Sequence, residues 1–193
     1  MKKTWEILER ACYHCKKCRL SEMRTNVVIG KGNKKAEIMF IGEGPGQQED
    51  LQGQPFVGPA GQLLDKMLAA VDLKLEDVYI TNVVKCRPPG NRDPHDDEKQ
   101  SCINYLRYQF ALIRPKVIVC LGRIAATTII DPNFKITKQR GQWYERKGCY
   151  IIATYHPSAL LRDETKKRPA WEDMQAIRKK LNEITKKEHE NNA

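Results

Sequence analysis

Residues 42–46, Gly-Glu-Gly-Pro-Gly, put a carboxylate into a turn built from three glycines and a proline, and Glu49 and Asp50 follow closely. Gly-rich turns after strands often cradle phosphates. This one matches neither G-x-G-x-x-G nor the P-loop, which needs Gly-Lys followed by Ser or Thr. Its carboxylates would repel a phosphate, and Pro45 removes a backbone donor. Either the segment is an ordinary strand-to-helix turn, or it presents Glu43 to a different ligand that the backbone approaches closely. Phe56 follows in a turn rich in Gly and Pro, where an aromatic ring serves as a core plug or as a flat wall for a planar ligand. Asn82 carries one donor and one acceptor, the pattern on the Watson–Crick edge of a base. An Asn after a strand also suits a plain turn. Lys85, Arg87 and Arg92 lie in the loop beyond it and are candidates for phosphate contacts. His156, in Tyr-His-Pro-Ser, can donate to a developing anion or be a loop histidine fixed by Pro157.

The seven cysteines form a second set. Cys12, Cys15 and Cys18 are spaced C-x2-C-x2-C, and Cys86 and Cys102 lie far downstream. A C-x2-C pair joined by a distant pair suggests a four-thiolate site for zinc or an iron–sulfur cluster, and spacing does not choose between them. Cys120 and Cys149 sit at the ends of apolar runs and read as core. A disulfide framework is the alternative in a hyperthermophile.

These residues need elements to position them. Residues 36–41, 78–81, 116–121 and 150–154 are short, apolar and β-branched, as buried parallel strands are. Helical patterns follow each one, over 60–71, 94–113, 123–130 and 170–187, with Asp93 as the expected N-cap of the second. The order predicts a doubly wound α/β sheet in one domain. In such sheets ligands bind beyond the C-terminal strand ends, which selects the segments at Gly42, Asn82, Gly122 and Tyr155.

Lys and Arg number 34 against 24 Asp and Glu, a formal net charge of +10. That excess favours a polyanionic partner, nucleic acid ahead of an anionic membrane. It also fits a highly charged thermophile surface. No apolar run is long enough to span a bilayer, and the N-terminus reads as an amphipathic helix, so the expectation is an intracellular monomer with a polar, frayed tail over 186–193.

Five collinear pieces carry a resemblance. C-x2-C-R-L-S (15–21), GEGPG (42–46), PFVG-x-AGQLL (55–64), TNVVKCRPPGNR (81–92) and HPSALL (156–161) together resemble the family 4 uracil-DNA glycosylases over most of residues 12–180. The resemblance implies a three-layer α/β/α sandwich with a central four-stranded parallel sheet. It implies a structural [4Fe-4S] cluster on Cys15, Cys18, Cys86 and Cys102, with Cys12 outside the set. The substrate would be uracil-containing DNA, single- or double-stranded, with the uracil turned out into the pocket. Phe56 would stack on the base, Asn82 would read its edge, Gly44 would offer a backbone donor, and Glu49 would help exclude thymine or orient Asn82. His156 would stabilise the uracil anion, and Glu43 would serve the sugar cation or the attacking water. Residues 158–162, Ser158 among them, would lie against DNA, with Arg162 at a phosphate and Leu160 or Leu161 as a wedge.

Three rivals remain: a relative that traps uracil covalently, for which His95 lies in the right loop without its basic run; a zinc-stapled nucleic-acid-binding module without catalysis; and a glycosylase for another lesion.

Overall fold

The computed structural model of the chain describes residues 3–191. Four parallel strands form its centre: β2 (Ile38–Gly42), β3 (Val78–Asn82), β4 (Val117–Leu121) and β6 (Cys149–Thr154). Every residue of β2, β3 and β4 is buried, as a sheet covered on both faces requires. The expected central four-stranded parallel sheet is there, and the whole sheet is larger and mixed. Two short antiparallel strands, β1 (Lys31–Gly32) on β3 and β5 (Trp143–Arg146) on β6, extend it to six, in the order β1-β3-β2-β4-β6-β5. At two and four residues they are too short for a periodic apolar signal.

Strand residues alternate between two cores. Met39, Ile41, Ile118, Cys120, Ile151 and Ala153 face one side, with α1 (Trp5–Tyr13) and α5 (Asp96–Ile113). Ile38, Phe40, Val117, Val119 and Ile152 face the other, with α4 (Pro59–Ala69) and the C-terminal helix α9 (Lys167–Asn191). The result is an α/β/α sandwich. The short helices α2 (Leu20–Met23), α3 (Gln47–Gln52), α6 (Arg123–Ile129), α7 (Ile136–Gln139) and α8 (Pro157–Arg162) complete it. Within the described residues no helix is long and apolar enough to cross a membrane.

Local chemistry sets the ends. Thr4 caps α1 by accepting from the Ile7 N–H at 3.3 Å, and Pro59 opens α4 at its first position. Helix α5 starts two residues later than the proline pattern suggests: His95, not Asp93, is its N-cap, and Glu98 closes the turn by accepting from the His95 N–H at 2.8 Å. Asp93 is thereby released for another use. Helix α9 continues through Asn191, so residues 186–191 of the expected frayed tail are helical; Asn192 and Ala193 lie outside the described residues.

The topology fixes where a ligand can sit. Strand β3 lies on one side of β2 and β4 on the other, so the connections leave in opposite directions and open a crevice beyond the strand ends.

Candidate functional site

That crevice is a cavity of about 530 Å³, a size suited to a small planar ligand. The residues following β2, β3, β4 and β6 line it together: Glu43 and Gly44, Asn82, Gly122 and Arg123, Tyr155 and His156. Phe56, Glu49, Asp93, Ser158, Arg162 and Lys166 contribute as well.

Asn82 ends β3 at 2% exposure, and its Oδ1 is the one buried side-chain acceptor or donor left without a partner among the described residues. An unmet buried acceptor costs about 1–3 kcal/mol unless something else supplies a donor. A Cβ on Gly42 would stand 2.4 Å from that oxygen and 2.7 Å from Phe56 Cζ, so only glycine lets the strand end run beside both.

Phe56 has a left-handed φ of 53°, unusual for an aromatic residue. Neighbouring charges hold it there. Glu49 Oε1 accepts from the N–H groups of Val57 and Gly58 at 2.9 and 2.8 Å, and Lys31 Nζ donates to the Phe56 carbonyl at 3.0 Å. The Phe56 ring runs alongside the His156 imidazole, with centroids 5.7 Å apart and planes 29° apart.

The protonation of His156 can be deduced. The Ser158 backbone N–H, which can only donate, points at Nδ1 from 3.1 Å, and Ser158 Oγ lies 2.8 Å from the same nitrogen. Nδ1 is therefore an acceptor, and the neutral ring carries its proton on Nε2. Burial, reinforced by the Arg162 cation, lowers the pKa to about 4 despite Glu49, so the ring is neutral at pH 7. Gly122 makes room for it: at φ +87° it takes a conformation suited to glycine, and a Cβ there would meet His156 Cβ at 2.8 Å.

Glu43 is perturbed in the opposite sense. Burial raises it first, the neighbouring Asp93 carboxylate next, and together they bring it to about 7 against the pull of Arg123. Asp93 in turn is ion-paired with Arg123.

The cysteines gather on the other side of the loop after β3. Cys12, Cys15, Cys18, Cys86 and Cys102 all line one small pocket, and none of the seven is in a disulfide. No three metal-ligating groups among the described residues converge on one point as around a single ion. Two hydrogen bonds already aim at these sulfurs, from Arg24 Nη1 to Cys86 Sγ at 3.1 Å and from the Lys85 N–H to Cys102 Sγ at 3.3 Å. Donors directed at sulfur suit thiolates, so the donor set fits a thiolate-bound cluster. Cys120 and Cys149 are core, 0% and 3% exposed.

A family model of the uracil DNA glycosylase superfamily matches residues 29–175. The chain belongs to that superfamily. It is 53% identical over 160 residues to a type-4 uracil-DNA glycosylase of Archaeoglobus fulgidus, covering 79% of this chain and 80% of the relative. It is 47% identical over 182 residues to one of Sulfurisphaera tokodaii, covering 90% and 83%. With one of Thermotoga maritima it shares 46% over 164 residues, covering 83% and 84%.

In this uracil DNA glycosylase chain several sequence expectations move. Lys85 cannot reach a phosphate: it is 2% exposed, its ammonium is held inside by Thr81, Asn82 and Gln109, and burial lowers its pKa to about 8. Arg87 bonds Asn91 Oδ1 at 2.8 Å and is not among the cavity's lining residues. Arg92 does line the cavity, but makes a bidentate pair with Glu98 at 2.7 and 2.8 Å. Ser158 is engaged with His156. Glu49 hydrogen-bonds to the Phe56 turn, not to Asn82. Residues 158–162 lie in helix α8, with Leu160 in the core at 2% exposure and Leu161 outside at 51%. His95 is exposed and does not line the cavity. Asp93, Arg123 and Lys166 were not among the predicted site residues. Asp93 resembled a helix cap, and nothing local marks the other two.

Proposed function

We propose that the chain excises uracil from DNA by hydrolysing the bond between C1′ of the deoxyribose and N1 of the base. The observation that carries this reading is the unmet Oδ1 of Asn82 at the end of a cavity walled by Phe56. Uracil offers it the N3–H and offers the amide NH₂ its O4; cytosine presents the donor and acceptor exchanged. The base enters by leaving the duplex stack.

When the C1′–N1 bond breaks, its electron pair stays on the base. A neutral His156 donating from Nε2 to the anion's O2 stabilises it by about 3–4 kcal/mol, the worth of a single oxyanion-type donor. Water adds to C1′, and its proton goes to Glu43. A carboxylate meant only to face a cation would be held ionised well below neutrality; one brought to about 7 suits proton transfer. Asp93 positions and tunes it. Arg162 and Lys166 at the rim suit phosphates, and Leu161 suits the gap left by the departed base.

Cys15, Cys18, Cys86 and Cys102 would hold a [4Fe-4S] cluster that staples the N-terminal segment to the loop after β3 and the helix after it. It supplies no step of the hydrolysis. The His95 position favours turnover over covalent trapping.

The test is uracil release from labelled oligonucleotides in EDTA buffer, with U:G, U:A, single-stranded and T:G substrates. Release from the uracil substrates and none from T:G is expected. Tight DNA binding without excision at any enzyme excess would refute the proposal.

A further inference from the structure

Lys85 stands between the two sites. Its backbone N–H donates to Cys102 Sγ at 3.3 Å on the cysteine side, and its ammonium donates to the Asn82 carbonyl at 2.7 Å on the cavity side. The other ammonium protons go to Thr81 Oγ1 and Gln109 Oε1, each at 2.7 Å. Both acceptors are fixed from behind. Thr81 gives its own proton to the Ile29 carbonyl at 2.6 Å, and the Gln109 amide nitrogen is bonded to the Ile29 carbonyl at 2.9 Å and the Tyr79 hydroxyl at 3.1 Å.

Three donors thus meet three acceptors, and all three acceptors are neutral. A fully buried ammonium still lacks its solvation, which neutral hydrogen bonds do not fully replace. No carboxylate is among its bonded partners in the described residues. The groups it meets on its other side are cysteines: its own N–H bonds Cys102 Sγ, and Lys85 lines one small pocket with Cys12, Cys86 and Cys102. A thiolate-bound cluster is anionic and would supply the missing counter-charge.

We infer that Lys85 is a positioning residue with two attachments: it fixes the Asn82 backbone at the base-reading edge and is the fully buried counter-charge of the cysteine site, beside the half-buried Arg24 on Cys86 Sγ. The inference rests on reading those cysteines as thiolate ligands and Asn82 as the base reader. It makes Lys85 the physical link between cluster and pocket.

The experiment is a cycle on purified holoprotein with iron and sulfide measured per chain. Lys85→Met is compared in the native and Asn82→Ala backgrounds by single-turnover uracil excision, and bleaching of the cluster absorbance by an oxidant is followed in each. In the native background a loss of about 10–100-fold is expected, the usual cost of removing a supporting partner of a site. In the Asn82→Ala background the same change should fall within about twofold of no effect, since Lys85 acts through Asn82. Bleaching should accelerate in both. Equal losses in the two backgrounds would overturn the positioning role, because a merely structural lysine harms both alike. Unchanged bleaching would overturn the counter-charge role. If Lys85→Met does not fold, Lys85→Gln removes the charge and keeps a donor; it should bleach faster, and failure to do so overturns the same role. A native protein that excises uracil but contains neither iron nor sulfide would refute the ligand reading and the counter-charge with it, leaving the Asn82 cycle to decide positioning.

Discussion

Replacing Glu43 by Gln should destroy activity and stabilise the protein, and the stabilisation should depend on pH. The carboxyl ordinarily titrates near 4.5, and in the fold burial and Asp93 bring it to about 7. The folded state therefore binds this proton more tightly than the unfolded chain. Stability from this group is fully present below the unfolded value and is lost as pH rises through about 7. For a fully buried group that separation is worth about 3 kcal/mol. Glu43 is only half-buried and solvent screens part of the effect, so about 1–2 kcal/mol is the appropriate figure. Gln keeps the shape, carries no charge, and can donate to Asp93. At pH 8 the variant should melt about 2–8 °C above the native protein, a difference that closes towards pH 5. Excision should fall about 10²–10⁴-fold, the usual worth of a general base. Thermal melts by circular dichroism at both pH values, beside single-turnover excision, check both. A variant that melts no higher at pH 8, or by the same margin at pH 5, would refute the account of Glu43 as a half-buried carboxylate strained by its neighbour.

The remaining expectations are more direct. The rate of the native enzyme should fall about tenfold per pH unit below about 7, and Asp93→Asn should move that limb to lower pH, because it removes the neighbouring carboxylate. His156→Ala should lose about 10²–10³-fold in the cleavage rate, and the native pH profile should show no loss from His156 down to about pH 5, since that ring protonates only near 4. Leu161→Ala should slow excision from duplex far more than from single strands, measured side by side, because only the duplex leaves a gap to fill. Cys102→Ser should lower iron and sulfide content, and its melting temperature should fall with them.

Much of this site was legible because its signals are local. The four central strands declared themselves as apolar runs, and the doubly wound order already placed Glu43, Asn82 and His156 at one edge. The cysteine spacing marked a cluster of thiols, though not its full membership: Cys12 lines the same pocket as the other four. The illegible parts depend on distant partners. The choice between Leu160 and Leu161 turns on which way a six-residue helix rolls against the core. Asp93 looked like a helix cap because Pro94 follows it, and only the capping turn between His95 and Glu98 frees it to stand beside Glu43.

Lys85 shows why a charge cannot be assigned to a surface from composition. It lies in a basic loop of a basic chain, where a phosphate contact is the natural expectation. Its neighbours Val83 and Val84 are fully buried, so the backbone is already turned inward there. Of its acceptors, Thr81 and Asn82 are near in sequence, but Gln109 is 24 positions away on α5. Only the packing of α5 on the sheet brings it close. Basic residues of one chain thus take different positions. Arg162 and Lys166 line the cavity. Lys85 faces inward, between the Asn82 backbone and Cys102.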